Sequence, residues 1–168
     1  FDAELPFAED SDFTLRYMKH IVSICWKPEM VYHYTLNPQS VMRVQTGEKT
    51  EKYIRAMEKT AEAIQDENEI IKKAYDKYVM MHFNIMMVRE VFQQRTYSFR
   101  VKCKKMKSVA KTAIFKNAID VIRVKECKSA RMLPVLLMKM KLNWLAGIIY
   151  MLRVKQNEGH EKRGINSI

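Results

Sequence analysis

Between Gly47 and Pro134 lie 86 consecutive residues with neither glycine nor proline. Few folds accept such a stretch. A sheet protein needs turn formers every ~8–12 residues, and this chain holds only 4 Gly and 4 Pro in 168 residues. The expectation is an all-α protein. The length suits one domain that buries about two-thirds of its unfolded surface. Its 48% hydrophobic content excludes a disordered polyelectrolyte, in spite of a net charge of +11.

Apolar spacing divides the chain into helices. Ser11 and Asp12 precede Phe13, Tyr17, Ile21 and Ile24, an N-cap and an amphipathic helix that Pro28 ends. Asn37-Pro38 and Gly47 bracket a short helix at about 38–46. Tyr53, Ile54, Met57, Ala61 and Ile64 form a stripe. Glu-then-Lys pairs such as Glu48/Lys52 and Glu69/Lys73 support an exposed helical face. A break or N-cap is expected within Asp66-Glu67-Asn68-Glu69.

From Ile70 the pattern changes, and from Tyr78 to Val88 it is apolar nearly all round. Ile71, Tyr75, Tyr78, His82, Ile85 and Phe92 lie on one side, and Val79, Phe83, Met86, Met87 and Val91 on another. A helix of that kind is a central one, so 70–95 is placed at the middle of a bundle. Two shorter basic helices follow at 100–117 and 118–130, then an apolar segment from Met132 to Leu152. That segment has membrane-spanning length. However, Lys139, Lys141 and Asn143 sit at its centre, and each Lys costs ~2.5–3.5 kcal/mol there. It reads as a bundle helix plus a surface-seeking amphipathic element. The acidic N-terminus, about 1–11, and a polar tail, about 153–168, are expected to be loose.

The charge is concentrated. Residues 95–141 hold fourteen bases against Asp120 and Glu126, whereas residues 1–15 hold five acids and no base. A basic patch of this density attracts phosphate, anionic lipid or acidic glycoprotein. Specific nucleic-acid binding is not expected, since Phe115 is the one aromatic residue between 100 and 131 and no reader motif occurs.

Catalytic constellations are missing. There is no His-Glu-x-x-His, nucleophile elbow or Gly-rich phosphate loop. No catalytic residue, cofactor or metal is expected. His82 and Asn84 read as buried polar residues that must find partners. Cys25, Cys103 and Cys127 allow one disulfide, Cys103–Cys127 among the choices, or three thiols.

Two stretches carry a resemblance. Tyr78-Val-Met-Met-His82-Phe83 is similar to the Tyr-x-x-x-His-aromatic stretch of abalone sperm lysin. Met132-Leu133-Pro134, with Leu137 and Met140, resembles that family's Met-Ile-Pro segment at a close separation. Together they cover about residues 65–145. The shift from Arg toward Lys, Met and aliphatic residues looks more like lysin's acrosomal paralogue, the abalone eighteen-kilodalton protein. The resemblance implies a lysin-like bundle of about five helices with one long central helix. It further implies a secreted, non-enzymatic protein of the sperm acrosomal vesicle that acts in sperm–egg membrane fusion.

The resulting expectation is specific. Lys102, Lys104, Lys105, Lys107, Lys111, Lys139 and Lys141 dock the anionic egg membrane, and Leu136, Leu137, Met140, Trp144, Ile148 and Met151 enter its acyl boundary. Two alternatives remain. One is lysin-like dissolution of the egg vitelline envelope by binding its glycoprotein, and the other is a helical cytokine. Oligomeric state is left open.

Overall fold

A computed structural model describes residues 5, 8–30, 49–124 and 129–162. The described part is all-α, with helices α1 (Glu9–Met18), α2 (Lys49–Ala63), α3 (Glu69–Met86), α4 (Phe99–Val109), α5 (Ala113–Val121), α6 (Leu133–Lys139) and α7 (Asn143–Lys162). A π-helical turn, Met87–Phe92, extends α3, and a 3₁₀ turn, Ala130–Met132, leads into α6. The helix expected at 38–46, the aromatic stretch 31–36 and Cys127 lie outside the described residues.

α3 is the central helix, as its all-round apolar pattern requires. It packs against α2, α5 and α6. Val79, Met80, Phe83, Met86 and Met87 are fully buried along it. Asn68 starts it: its side chain accepts the backbone N–H groups of Ile70 and Ile71, which the first turn leaves without helical partners. The break expected at Asp66–Glu69 is therefore an N-cap. Tyr53 and Met57 of α2 seal one flank, and the Tyr75 hydroxyl donates to the Met57 carbonyl.

One polar and one aromatic contact tie α7 to the central helix and its π-helical extension. The Tyr150 hydroxyl of α7 donates to Asn84 Oδ1 at 2.7 Å, so the buried amide of α3 has the partner it needs. Phe92 packs on Tyr150, with centroids 5.1 Å apart. His82 is a core residue, tilted against Tyr78 at 4.4 Å, and its Nδ1 makes no hydrogen bond.

Several expectations need correction. α1 begins at Glu9, so the expected loose stretch is helical from there, and Leu5 lies in the core, while Glu9 and Asp10 themselves stay exposed. α1 also ends at Met18 rather than near Pro28. Ile21, Val22 and Ile24 are β-branched and favour extended backbone. The Lys19 ammonium meanwhile leaves the helix, donating to the Ala63 carbonyl and pairing with Glu67 at 3.1 Å. Phe13 and Tyr17 stack on each other at the surface instead of forming the core stripe. At the other end α7 runs to Lys162, so the expected tail is helical that far. Val154 is buried there, and Arg153 donates to the Ala130 carbonyl at 2.7 Å.

The segment from Met132 to Leu152 holds α6 and the first half of α7, with a tight turn between them. The C′ residue of α6, Lys141, takes φ 63°. Its N–H donates to Met138 O at 2.9 Å, and the Leu142 N–H donates to Leu137 O at 2.8 Å. These are the paired bonds of a Schellman motif, with lysine where glycine is usual. Among the described residues no helix is long and apolar enough to cross a membrane.

Candidate functional site: an apolar corner beside a cation stripe

On α4, helical phase separates two faces. Phe99, Lys102, Cys103 and Met106 turn inward or onto α7, while Arg100, Lys104 and Lys107 lie exposed along one side, and Lys111 is exposed in the turn that follows the helix. Ser98 starts this helix by accepting the Val101 N–H. Lys105 stands apart from the stripe, its ammonium 4.7 Å from the Tyr97 ring centroid.

Lys102 does not belong with these cations. It is buried, and its ammonium donates to the Phe92 carbonyl at 2.6 Å, capping the π-helical turn. Burial lowers its pKa, against the opposing charge of Glu158. Spacing carried the signal, since Lys102 lies one turn before buried Met106. Lys139 is also committed, donating to the carbonyls of Asp120 (2.9 Å) and Ile122 (2.5 Å) at the end of α5. Lys104, Lys107, Lys111 and Lys141 are exposed.

α7 crosses α4 at Gly147. A Cβ there would stand 2.7 Å from Cys103 Sγ and 3.1 Å from the Phe99 ring, so any larger residue forces these side chains to shift. Cys25 and Cys103 are free thiols, and burial pushes the Cys103 thiol up, against the Lys107 charge. Phe99 meets Trp144 edge-on at 5.9 Å. The start of the cation stripe and the start of α7 are thus in contact.

The outer face of α7 is apolar over its N-terminal half, from Trp144 to Leu152, and polar from Lys155 onward. Its inner side is Ala146, Gly147, Tyr150 and Val154. Trp144, Leu145 and Leu152 face solvent, with Trp144 63% exposed. Leu142 lies exposed in the turn before it, and Leu133 and Met140 are exposed on α6. Six large apolar side chains therefore stand in water along α6–α7.

Of the expected inserting residues, Met140 and Trp144 are in this set. Leu136 and Ile148 are half-buried, and Leu137 and Met151 pack against the core. The expected spacing treats 136–151 as one helix, and the turn at Met140–Leu142 breaks its phase. Leu142, Leu145 and Leu152 were missed for the same reason, whereas Leu133 lies before the expected stretch. A second exposed apolar stretch, Val22, Ile24, Trp26 and Met30, follows α1, and of these Ile24 was expected on the apolar stripe of the first helix.

Among the described residues no group of His, Cys, Asp and Glu is placed to hold a metal ion. No family model, curated protein or solved structure matches the chain. The fold and the site define a class only: a basic helical bundle with an outward-facing apolar corner.

Proposed function

We propose that this protein is a secreted, non-enzymatic sperm acrosomal protein that binds and perturbs membranes, mediating fusion of the sperm and egg plasma membranes. The observation that carries the reading is the row of exposed apolar side chains on α6–α7 beside the cation stripe of α4. The resemblance to the lysin family supplies the sperm setting.

Magnitudes say how the two halves share the work. Burying each half-exposed side chain of the six is worth about 1 kcal/mol, so about 6 kcal/mol together. That is close to one myristoyl anchor, whose membrane binding is marginal and reversible. Each cation near an anionic surface adds ~1 kcal/mol. Lys104, Lys107, Lys111 and Lys141 thus turn marginal into firm binding, and salt weakens it.

The test is leakage and lipid mixing on anionic vesicles at physiological salt, beside isolated egg envelopes. Dose-dependent lipid mixing with intact envelopes supports the proposal. Vesicles left intact by folded protein refute it. Stoichiometric envelope dissolution without cleavage would move the reading to a glycoprotein-binding, lysin-like role.

A further inference from the structure

A groove of about 430 Å³ lies between α1, α2 and α3, and it shares no residue with the α6–α7 corner. Leu15, Met18, Ile64, Ile71 and Ala74 give it apolar walls. At about 30 Å³ per water-sized unit, it holds roughly fourteen methylene-sized groups. Asp10, Ser11 and Tyr78 supply the polar part of the lining.

The polar groups restrict what the groove accepts. Asp10 Oδ1 already accepts the Ser11 N–H at 2.7 Å, and the carboxylate keeps further acceptor positions. Its charge is felt at both Tyr78 and His82. The Tyr78 hydroxyl is buried beside Ser11 and makes no hydrogen bond of ordinary geometry. A buried donor of this kind needs an acceptor. The Asp10 carboxylate, exposed at the rim of the groove, can accept from a further donor and repels an anion. A hydroxyl group suits both, whereas a carboxylate or phosphate head meets Asp10 with like charge.

We propose that this groove binds a single-chain lipid with an uncharged, hydroxyl-bearing head, in chemistry a monoacylglycerol. The acyl chain lies along Leu15, Met18, Ile64 and Ile71, and the head hydroxyl accepts from Tyr78 and donates to Asp10. This site is independent of the membrane-docking corner.

The experiment titrates the full chain with 1-monolauroylglycerol and with laurate, each below its aggregation concentration, by calorimetry and native mass spectrometry. One monolauroylglycerol binds per chain, and laurate binds about tenfold more weakly. Asp10→Asn brings laurate to within about twofold of the neutral lipid, because the like charge is gone. Tyr78→Phe weakens monolauroylglycerol by about three- to tenfold, the worth of one hydrogen bond. Ala74→Phe fills the groove from an exposed position on α3 and abolishes binding, with circular dichroism showing an unchanged fold. Three results overturn the proposal: folded wild-type protein that binds no monolauroylglycerol, Ala74→Phe protein that binds like wild type, or laurate that binds as tightly as the neutral lipid.

Discussion

Replacing Gly147 by alanine sets two effects of known sign against each other. In the middle of a helix, Ala is favoured over Gly by about 1 kcal/mol. Gly147, however, sits where α7 crosses α4, and the new methyl would lie 2.7 Å from Cys103 Sγ and 3.1 and 3.2 Å from two atoms of the Phe99 ring. Overpacking of this kind costs about 1–3 kcal/mol. Three crowded contacts at once place the cost near the upper end, so the net loss is about 1–2 kcal/mol. Urea unfolding followed by far-ultraviolet circular dichroism measures it. The double variant Cys103→Ala/Gly147→Ala removes the closest contact and recovers most of the loss, a coupling that a double-mutant cycle isolates. If Gly147→Ala instead gains the about 1 kcal/mol of helix propensity, α4 and α7 do not approach this closely. The junction of cation stripe and apolar corner would then be wrong.

Other consequences follow from single contacts. Tyr150→Phe leaves Asn84 Oδ1 buried without its donor and lowers unfolding free energy by about 1–3 kcal/mol. Lys141→Gly relieves a non-glycine residue of its φ of 63° and raises stability by about 1 kcal/mol, while weakening binding to anionic vesicles by the loss of one cation. Burial holds the His82 imidazole below its ordinary 6.5, against the charge of Asp10. The unfolded chain therefore takes up this proton first as pH falls from 6.5, and stability drops across that window. In His82→Phe the drop, read from urea midpoints against pH, is smaller. Lys104→Glu/Lys107→Glu abolishes salt-sensitive vesicle binding with an unchanged melting temperature, because both side chains are exposed.

Periodicity carried the architecture where one face of a helix alone decides the matter. The glycine- and proline-free stretch, the apolar-all-round run of α3 and the Asn68 cap are properties of neighbouring residues, and each reappears in the bundle. The need of Asn84 for a partner was visible, but its identity, 66 residues away, was not. The turn at Met140–Leu142 was hidden because Lys141 occupies a position that a glycine would have advertised. With that turn missed, the phase of α7 slipped, and half-buried Met151 was exchanged for exposed Leu145 and Leu152. α1 was overextended because apolar spacing continues past Met18, while the tertiary hold on Lys19 by Ala63 and Glu67 leaves no mark in the local sequence.

The emission of Trp144 tests the central claim most directly. The chain has 2 Trp, so Trp26→Phe leaves Trp144 as the sole reporter. In water Trp144 is 63% exposed and emits at long wavelength. On addition of anionic vesicles its emission shifts to the blue and is quenched by lipids brominated on the upper acyl chain, if the α6–α7 corner enters the acyl boundary. Emission that stays at long wavelength and is untouched by brominated lipid, while the protein co-sediments with the vesicles, would show that cations alone hold it there and that the apolar corner faces some other partner.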